Sequence, residues 1–354
     1  MSSSSMSQTD PNKPRHSTSS CVIRLVLDFD GTLTKKDTMH ILAQAGYARQ
    51  REMQGDLQPQ PWADIVNAYM SDYKAHANAY LPIGSNRTTV AQEIAWLDSL
   101  RQIENASIER AIEAGIFDQL GVADITLAVN EALDNGNVQF RDGWVQILSA
   151  VEQHNTMLAA NSRPVLAIQV ISVNWSACFV RQVLSGCIER TSEVEDQTKS
   201  RWMENLSVYA NEIPSLLRAD SQMEGHGTPI LTQHQWKGIR TSGDKVSVLN
   251  CIRDRTLPCP NAVFIYVGDS STDLECLLAA DVGICIRDEP ISSGQKELAA
   301  TLKRLDIEVL HVQGNRSSSS TNGRRMFWAR NFGEIREWFD EHHESLERWQ
   351  LPKE

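Results

Sequence analysis

The chain has 354 residues, 41% of them hydrophobic, enough for a sizeable main core with a second module. A formal net charge of -11 without a dense basic run excludes general binding to nucleic acid or to an anionic membrane surface, both of which need a local basic patch. No stretch approaches the roughly 20 apolar residues that cross a bilayer, and seven cysteines without a C-x-x-C pair read as the reduced thiols of a soluble cytoplasmic protein.

Residues 1–20 are serine-rich and lack an apolar stretch, so they read as a disordered tail that is neither a signal peptide nor an anchor. The run Cys21-Val22-Ile23-Arg24-Leu25-Val26-Leu27 follows, short, nearly continuous in aliphatic residues and rich in β-branched ones, as in a buried parallel strand. Asp28 and Asp30 stand at its carboxyl end, where open α/β sheets bind ligands. If the backbone stays extended, the two carboxylates face one small volume while Phe29 points away. Such a pair repels itself unless a cation lies between the two or one of them holds a proton; the plainer alternative is a polar strand end before a Gly-Thr turn.

From Asp37 to about Asp142 the pattern is helical and shows no convincing strand. Trp62, Ile65, Val66, Tyr69 and Met70 recur at helical intervals, and VAQEIAWLDSL and IERAIEAGIF behave likewise. RDGWVQILSAVEQHN reads as a further helix leading to a second buried strand at residues 165–171. More strands are expected at 207–213, 262–267, 282–286 and 307–312, with helical patterns between most of them, the signature of a parallel sheet with crossover helices. Residues 189–205 and 218–242 read as polar and irregular, and 316–325 as a low-complexity loop. Phe332, Ile335, Trp338, Leu346 and Trp349 lie along one side of a terminal helix, where core packing is their expected use. His226, His234, His342 and His343 have no metal-ligand spacing and read as surface or packing residues.

Three more features mark strand ends or helix starts. Ser172 ends the second strand, where a hydroxyl can donate to an anion and Ser-x-Asn continues a turn with exposed amides. Lys245 follows the capping residues Thr-Ser-Gly-Asp in the first turn of a helix, where the helix dipole disfavours a cation unless an anion or carboxylates face it; a solvated surface lysine is the alternative. Asp269 and Asp273 follow the strand AVFIYV and a turn at Gly268, four residues apart and able to share a face, although aspartates there also serve as caps. Oxygen ligands without histidine or thiolate suit a hard cation, and Mg2+ is the usual one beside a phosphate.

In this order, DFDGT at 28–32, a strand ending in Ser172, Lys245 in SGDK, and GDSSTD at 268–273 resemble the four motifs of the haloacid dehalogenase superfamily. The flavour is phosphoserine-phosphatase-like, helped by VYANEI at 208–213. The resemblance implies a Rossmann-like three-layer α/β core with a parallel sheet over residues 21–36 plus 144–354, and an inserted α-helical cap over 37–143. It further implies a phosphatase in which Asp28 is the nucleophile and Asp30 the general acid and base. Ser172 and Lys245 would hold phosphate oxygens, while Asp28, the Asp30 backbone carbonyl, Asp269 and Asp273 would hold Mg2+, the last through water. Family members that cleave carbon–halogen or carbon–phosphorus bonds usually lack the second aspartate, so Asp30 favours phosphoryl transfer to or from a small phosphorylated metabolite.

A phosphotransferase, a phosphomutase or a non-catalytic regulatory protein on the same fold are the alternatives. Asp37, seven residues past Asp30, occupies a place where the phosphoserine-phosphatase-like pattern can meet a substrate ammonium, as in phosphoserine or thiamine monophosphate. An exposed loop carboxylate after Lys35 and Lys36 is its plainer reading. The sequence carries no signal for oligomeric state.

Overall fold

The structure, a computed structural model, describes residues 21–55, 60–158, 168–220, 238–255, 262–314 and 325–349. The expected tail at 1–20, the first residues of the second strand, residues 221–237 and the serine-rich stretch up to 324 lie outside the described residues. Seven strands, β1 (Val22–Leu27), β2 (Ile168–Ile171), β3 (Leu206–Tyr209), β4 (Ala262–Gly268), β5 (Val282–Ile286), β6 (Leu310–His311) and β7 (Arg325–Ala329), form one sheet in the order β3-β2-β1-β4-β5-β7-β6. Every pairing is parallel.

Alternate residues of the central strands enter two cores. Ile23, Leu25 and Leu27 of β1, with Val263, Ile265 and Val267 of β4, face one; Val26, Phe264 and Tyr266 face the other. Burial on both faces explains the nearly continuous apolar runs, because neither face meets solvent freely. The result is a Rossmann-like three-layer α/β fold, consistent with the haloacid dehalogenase fold that the four motifs imply.

Among the described residues, five α-helices lie between β1 and Phe140: α1 (Met39–Gln54), α2 (Trp62–Ala79), α3 (Val90–Ser99), α4 (Arg101–Glu113) and α5 (Val122–Asp134). On α2 the apolar face is narrower than its spacing implies, since Ile65 is buried but Val66 and Met70 are exposed. Both ends of the insertion meet at a neck, where Thr34 bridges Phe140 in antiparallel fashion, the Lys35 amide donates to Gln139 O at 2.8 Å and the Arg141 amide to Leu33 O at 2.8 Å.

Next come α6 (Trp144–Leu158), α7 (Ala177–Arg190), α8 (Asp196–Asn205), α9 (Pro214–Asp220), α10 (Ser242–Arg255), α11 (Leu274–Ala279), α12 (Ser293–Arg304) and α13 (Phe332–His342). The insertion is docked on these later elements: α5 packs on α7 and α3 on α10. Gly186 of α7 permits the first contact, because a Cβ there would lie 2.6 Å from Leu133 Cδ1 of α5. Arg304 of α12 pairs with the buried Glu93 of α3, which also holds Arg87 at 2.8 Å.

The expected terminal helix is α13 followed by a 3-10 turn, and Phe332, Ile335, Trp338 and Leu346 are buried as expected. The ring of His342 stacks on Trp338 and that of His343 on Phe339, which gives both histidines packing roles. Two expectations are corrected. The supposedly irregular stretch 189–205 contains α8, which has one strongly apolar anchor, Trp202, buried and donating its Nε1–H to Glu152 of α6 at 3.0 Å. The strand β7, only five residues long and directly after a low-complexity stretch, was not expected at all, yet it lies between β5 and β6. Two strands are also shorter than their apolar runs: β3 stops at Tyr209 and β6 spans two residues at the sheet edge.

Candidate active site

Three neighbouring strands, β2, β1 and β4, end side by side and carry most of the candidate residues. Regular extension of β1 stops at Leu27, and the Asp28 amide donates to Val267 O of β4 at 2.9 Å, which sets Asp28 beside the turn that holds Asp269. The chain then turns over Phe29–Leu33, closed by the Thr34 amide donating to Phe29 O at 3.0 Å, with Asp30 and Gly31 outside helical dihedrals. Gly31 adopts φ +77°, and a Cβ there would lie 2.4 Å from Asp269 Oδ2, so both the dihedral and the close approach require glycine. Phe29 is fully buried in the core below, as its alternation with Asp28 implies.

Lys245, in the first turn of α10, is fully buried. Its ammonium donates to Asp28 Oδ1 at 2.6 Å and to Asp273 Oδ1 at 2.7 Å, so the charge disfavoured by the helix dipole is held by two carboxylates. Burial alone would lower the Lys245 pKa, but Asp273 and Asp28 more than offset this and lift it above the ordinary lysine value. Asp273 is saturated with donors. Its Oδ1 also accepts from the buried Tyr266 hydroxyl at 2.7 Å, and its Oδ2 accepts from the amides of Asp269 and Ser270, each at 3.1 Å. Asp273 is thus a scaffold for Lys245 and for the turn that presents Asp269.

Asp28, Asp269 and Asp273 each bring a carboxylate oxygen within 4.8 Å of the others, all buried. Burial raises the Asp28 pKa well above the usual carboxylate range, Asp273 and Asp269 add to this, and Lys245 opposes it. Burial and then Asp273 push Asp269 up to about 7 against the opposing effects of Lys245 and Arg141. Three carboxylates facing one ammonium leave two uncompensated negative charges when all are ionised. The donor set therefore fits a divalent, oxygen-preferring cation held by Asp28 and Asp269, whose oxygens are less engaged than those of Asp273.

Asp30 does not share that cluster through its side chain. Beyond the end of β1 its carboxylate leaves the extended alternation. Oδ1 accepts from the Thr38 amide at 2.8 Å and the Thr38 hydroxyl at 2.6 Å, while Oδ2 accepts from Asn174 Nδ2 at 2.9 Å. Its pKa is pushed up to about 6, first by burial and then by Asp37, against the hydrogen bonds from Thr38 and Asn174. The like charge that helps to keep Asp30 protonated is therefore Asp37 and not, as the D-x-D spacing implies, Asp28. Asp37 itself has an exposed surface and accepts from the Met39 amide at 2.9 Å, yet the protein crowded around it withdraws enough water to raise its pKa.

Ser172 follows β2 and is buried; the Asn174 amide donates to its Oγ at 3.0 Å, which leaves the hydroxyl proton available to an anion. The turn amides are less exposed than Ser-x-Asn implies, because that of Ser176 is also taken, by Asn174 Oδ1 at 3.2 Å. Asn211 ties this loop to the lead into α10, donating to Val173 O, Asn174 O and Ile239 O at 2.9–3.0 Å. Trp175 packs edge-on against Trp62 and Phe117 of the insertion.

The raised carboxyl groups carry a pH signature. Asp30 and Asp269 bind protons in the folded state at pH values where the unfolded chain, with carboxyls near 4, has released them. Metal-free protein is thus expected to lose stability as pH rises from about 4 to about 7. Millimolar Mg2+ should flatten that fall, because cation binding displaces the extra protons. Urea denaturation at pH 5, 6, 7 and 8, with Mg2+ and with EDTA, measures both slopes; parallel slopes would show that the cation does not bind these carboxylates.

None of the six described cysteines forms a disulfide, and among the described residues no helix is long and apolar enough to cross a membrane. No protein-family model matches the chain. It is similar to a CTO1 family protein of Schizosaccharomyces pombe, 26% identical over 306 residues, spanning 86% of this chain and 94% of that one. Among solved structures it is similar to one titled phospho-aspartyl intermediate analogue of phosphoserine phosphatase, 13% identical, with a TM-score of 0.36, over 81% of this chain and 92% of that one.

Proposed function

We propose that the protein is a Mg2+-dependent phosphomonoesterase that acts on a small phosphorylated metabolite through an aspartyl-phosphate, with residues 37–143 as a cap over the site. The observation that carries this reading is the buried Lys245 bridge between Asp28 and Asp273, with Asp269 close by and Asp30 held apart near pH 6. A lysine on Asp28 Oδ1 orients the carboxylate and leaves Oδ2 as the attacking atom. Asp28 attacks phosphorus, the ester P–O bond breaks, and the leaving oxygen takes a proton from Asp30. Asp30, now ionised and stabilised by Thr38 and Asn174, takes a proton from water; the water oxygen attacks phosphorus and the bond to Asp28 breaks, releasing phosphate.

A carboxyl group near 6 suits both directions of proton transfer around neutral pH. Ser172 and Lys245 bind phosphate oxygens in this reading. Mg2+, held by Asp28, Asp269 and the Asp30 backbone carbonyl, would neutralise the charge of a dianionic ester that otherwise repels the nucleophile. Asp273 serves by fixing Lys245 and Asp269.

The test is phosphate release from an aryl phosphate with Mg2+ and with EDTA, followed by a panel of phosphorylated metabolites. Hydrolysis abolished by EDTA and restored by Mg2+ is the expected result, and no release on any ester would refute the reading. Asp37→Asn belongs in the same panel. Loss confined to amine-bearing esters would assign Asp37 to the substrate, whereas a uniform downward shift of the alkaline pH limb would assign it to the tuning of Asp30.

A further inference from the structure

We propose that Arg141 is a positioning residue of this site, whose guanidinium fork fixes the turn after Asp28 in the conformation that lets the carboxylates act together. The inference rests on the phosphatase reading above. Arg141 lies 109 residues beyond Thr32 in sequence, yet its Nε donates to Thr32 O at 3.0 Å and its Nη2 to Gly31 O at 2.8 Å. Nη1 donates to Arg330 O at 3.3 Å, and the fork also meets the Asp288 carboxylate. Asp288 is braced in turn by the buried Gln295, which donates from Nε2 to Asp288 Oδ2 at 2.8 Å and accepts from the Asp288 amide at 2.8 Å.

This network grips the turn where it is most demanding. Gly31 has a left-handed backbone and lies against Asp269, so a small rotation of its peptide moves the chain into or away from that carboxylate. Two successive inward-facing carbonyls need donors at a buried position, and a planar guanidinium supplies both at once, whereas an ammonium is a single point of donation. Arg141 is only 3% exposed and directly follows the Phe140 bridge, so the exit of the insertion is the same residue that holds the nucleophile turn. Its hydrogen bonds run to backbone carbonyls and to Asp288, so beyond the charge it sets beside Asp269 its influence on the chemistry passes through the turn, and Arg141→Lys, which keeps that charge, isolates the fork.

The test compares full-length wild type with Arg141→Lys, which keeps the charge and loses the fork, and Arg141→Gln, which loses both. Both variants are expected to lose on the order of 10²-fold in kcat on an aryl phosphate, with KM nearly unchanged. Mg2+ binding measured by calorimetry should weaken about 10-fold in each. Should these variants fail to fold, Asp288→Asn, which leaves Arg141 in place with a looser brace, is expected to show the same pattern at smaller size. Wild-type kcat and Mg2+ affinity in Arg141→Lys, or a loss carried by KM alone, would overturn the proposal. A wild type that binds Mg2+ but hydrolyses nothing would remove the phosphatase reading by itself, and the calorimetry of the variants then decides on Arg141. A wild type that does neither overturns both.

Discussion

In the proposed phosphatase reading, Asp28→Asn is expected to abolish phosphate release, by on the order of 10⁴-fold or more, because the amide cannot form the acyl phosphate. The same substitution should leave the protein as stable as wild type at pH 8, or more stable. Burial, Asp273 and Asp269 together disfavour ionised Asp28 more strongly than Lys245 favours it, so a neutral isostere relieves a penalty. Lys245 keeps Asp273 as its partner. Kinetics and thermal melting of one preparation measure both effects. An inactive variant that is also much less stable would mean that Asp28 is structural; a stable variant that retains activity would remove it as nucleophile.

The largest loss of stability is expected from Lys245→Met, about 3–5 kcal/mol, since deleting one partner of a buried ionic group leaves the others uncompensated. The pH dependence follows from the remaining acids. Lys245 has a raised pKa, so its own contribution is fully present throughout the neutral range and is lost only as pH climbs through that elevated value. It lowers the pKa values of Asp28 and Asp269, and without it both carboxyls hold their protons to higher pH. Stability of the variant should therefore fall more steeply than that of wild type as pH rises, with a larger deficit at pH 8 than at pH 5. Adding Asp28→Asn should recover part of the deficit by removing one orphaned charge. Urea denaturation of the four proteins at both pH values tests this, and a pH-independent deficit without recovery would refute the electrostatic account.

Much of the sheet was legible because strands buried on both faces favour nearly unbroken apolar runs, as in Val22–Leu27 and Ala262–Gly268. The acids were legible because aspartates directly after such runs have few structural reasons to be there. Elements anchored by one or two residues were not. Trp202 and Met203 are the apolar positions of α8, adjacent and so without a helical period, and RMFWA is too short for its period to be read. Partners of the site were missed for a related reason. Thr38, Asn174, Tyr266 and Arg141 are ordinary residue types whose importance comes from where the chain returns. The hydrogen bond between Asn174 and Asp30 spans 144 positions, which no local spacing encodes. Alternation misplaced the Asp30 carboxylate because the regular strand stops at Leu27 and the chain turns at Gly31.

The paired neck at Thr34 and Phe140 bears on how the chain tolerates change in length. Since both stems are already joined there, the polypeptide between them is a closed loop whose entropy grows only logarithmically, by about 0.6 kcal/mol for each doubling. Lengthening or shortening it therefore barely taxes the sheet. What limits replacement is the groove beside Gly186, which a substitute segment must fill as closely as Leu133 does or leave wet.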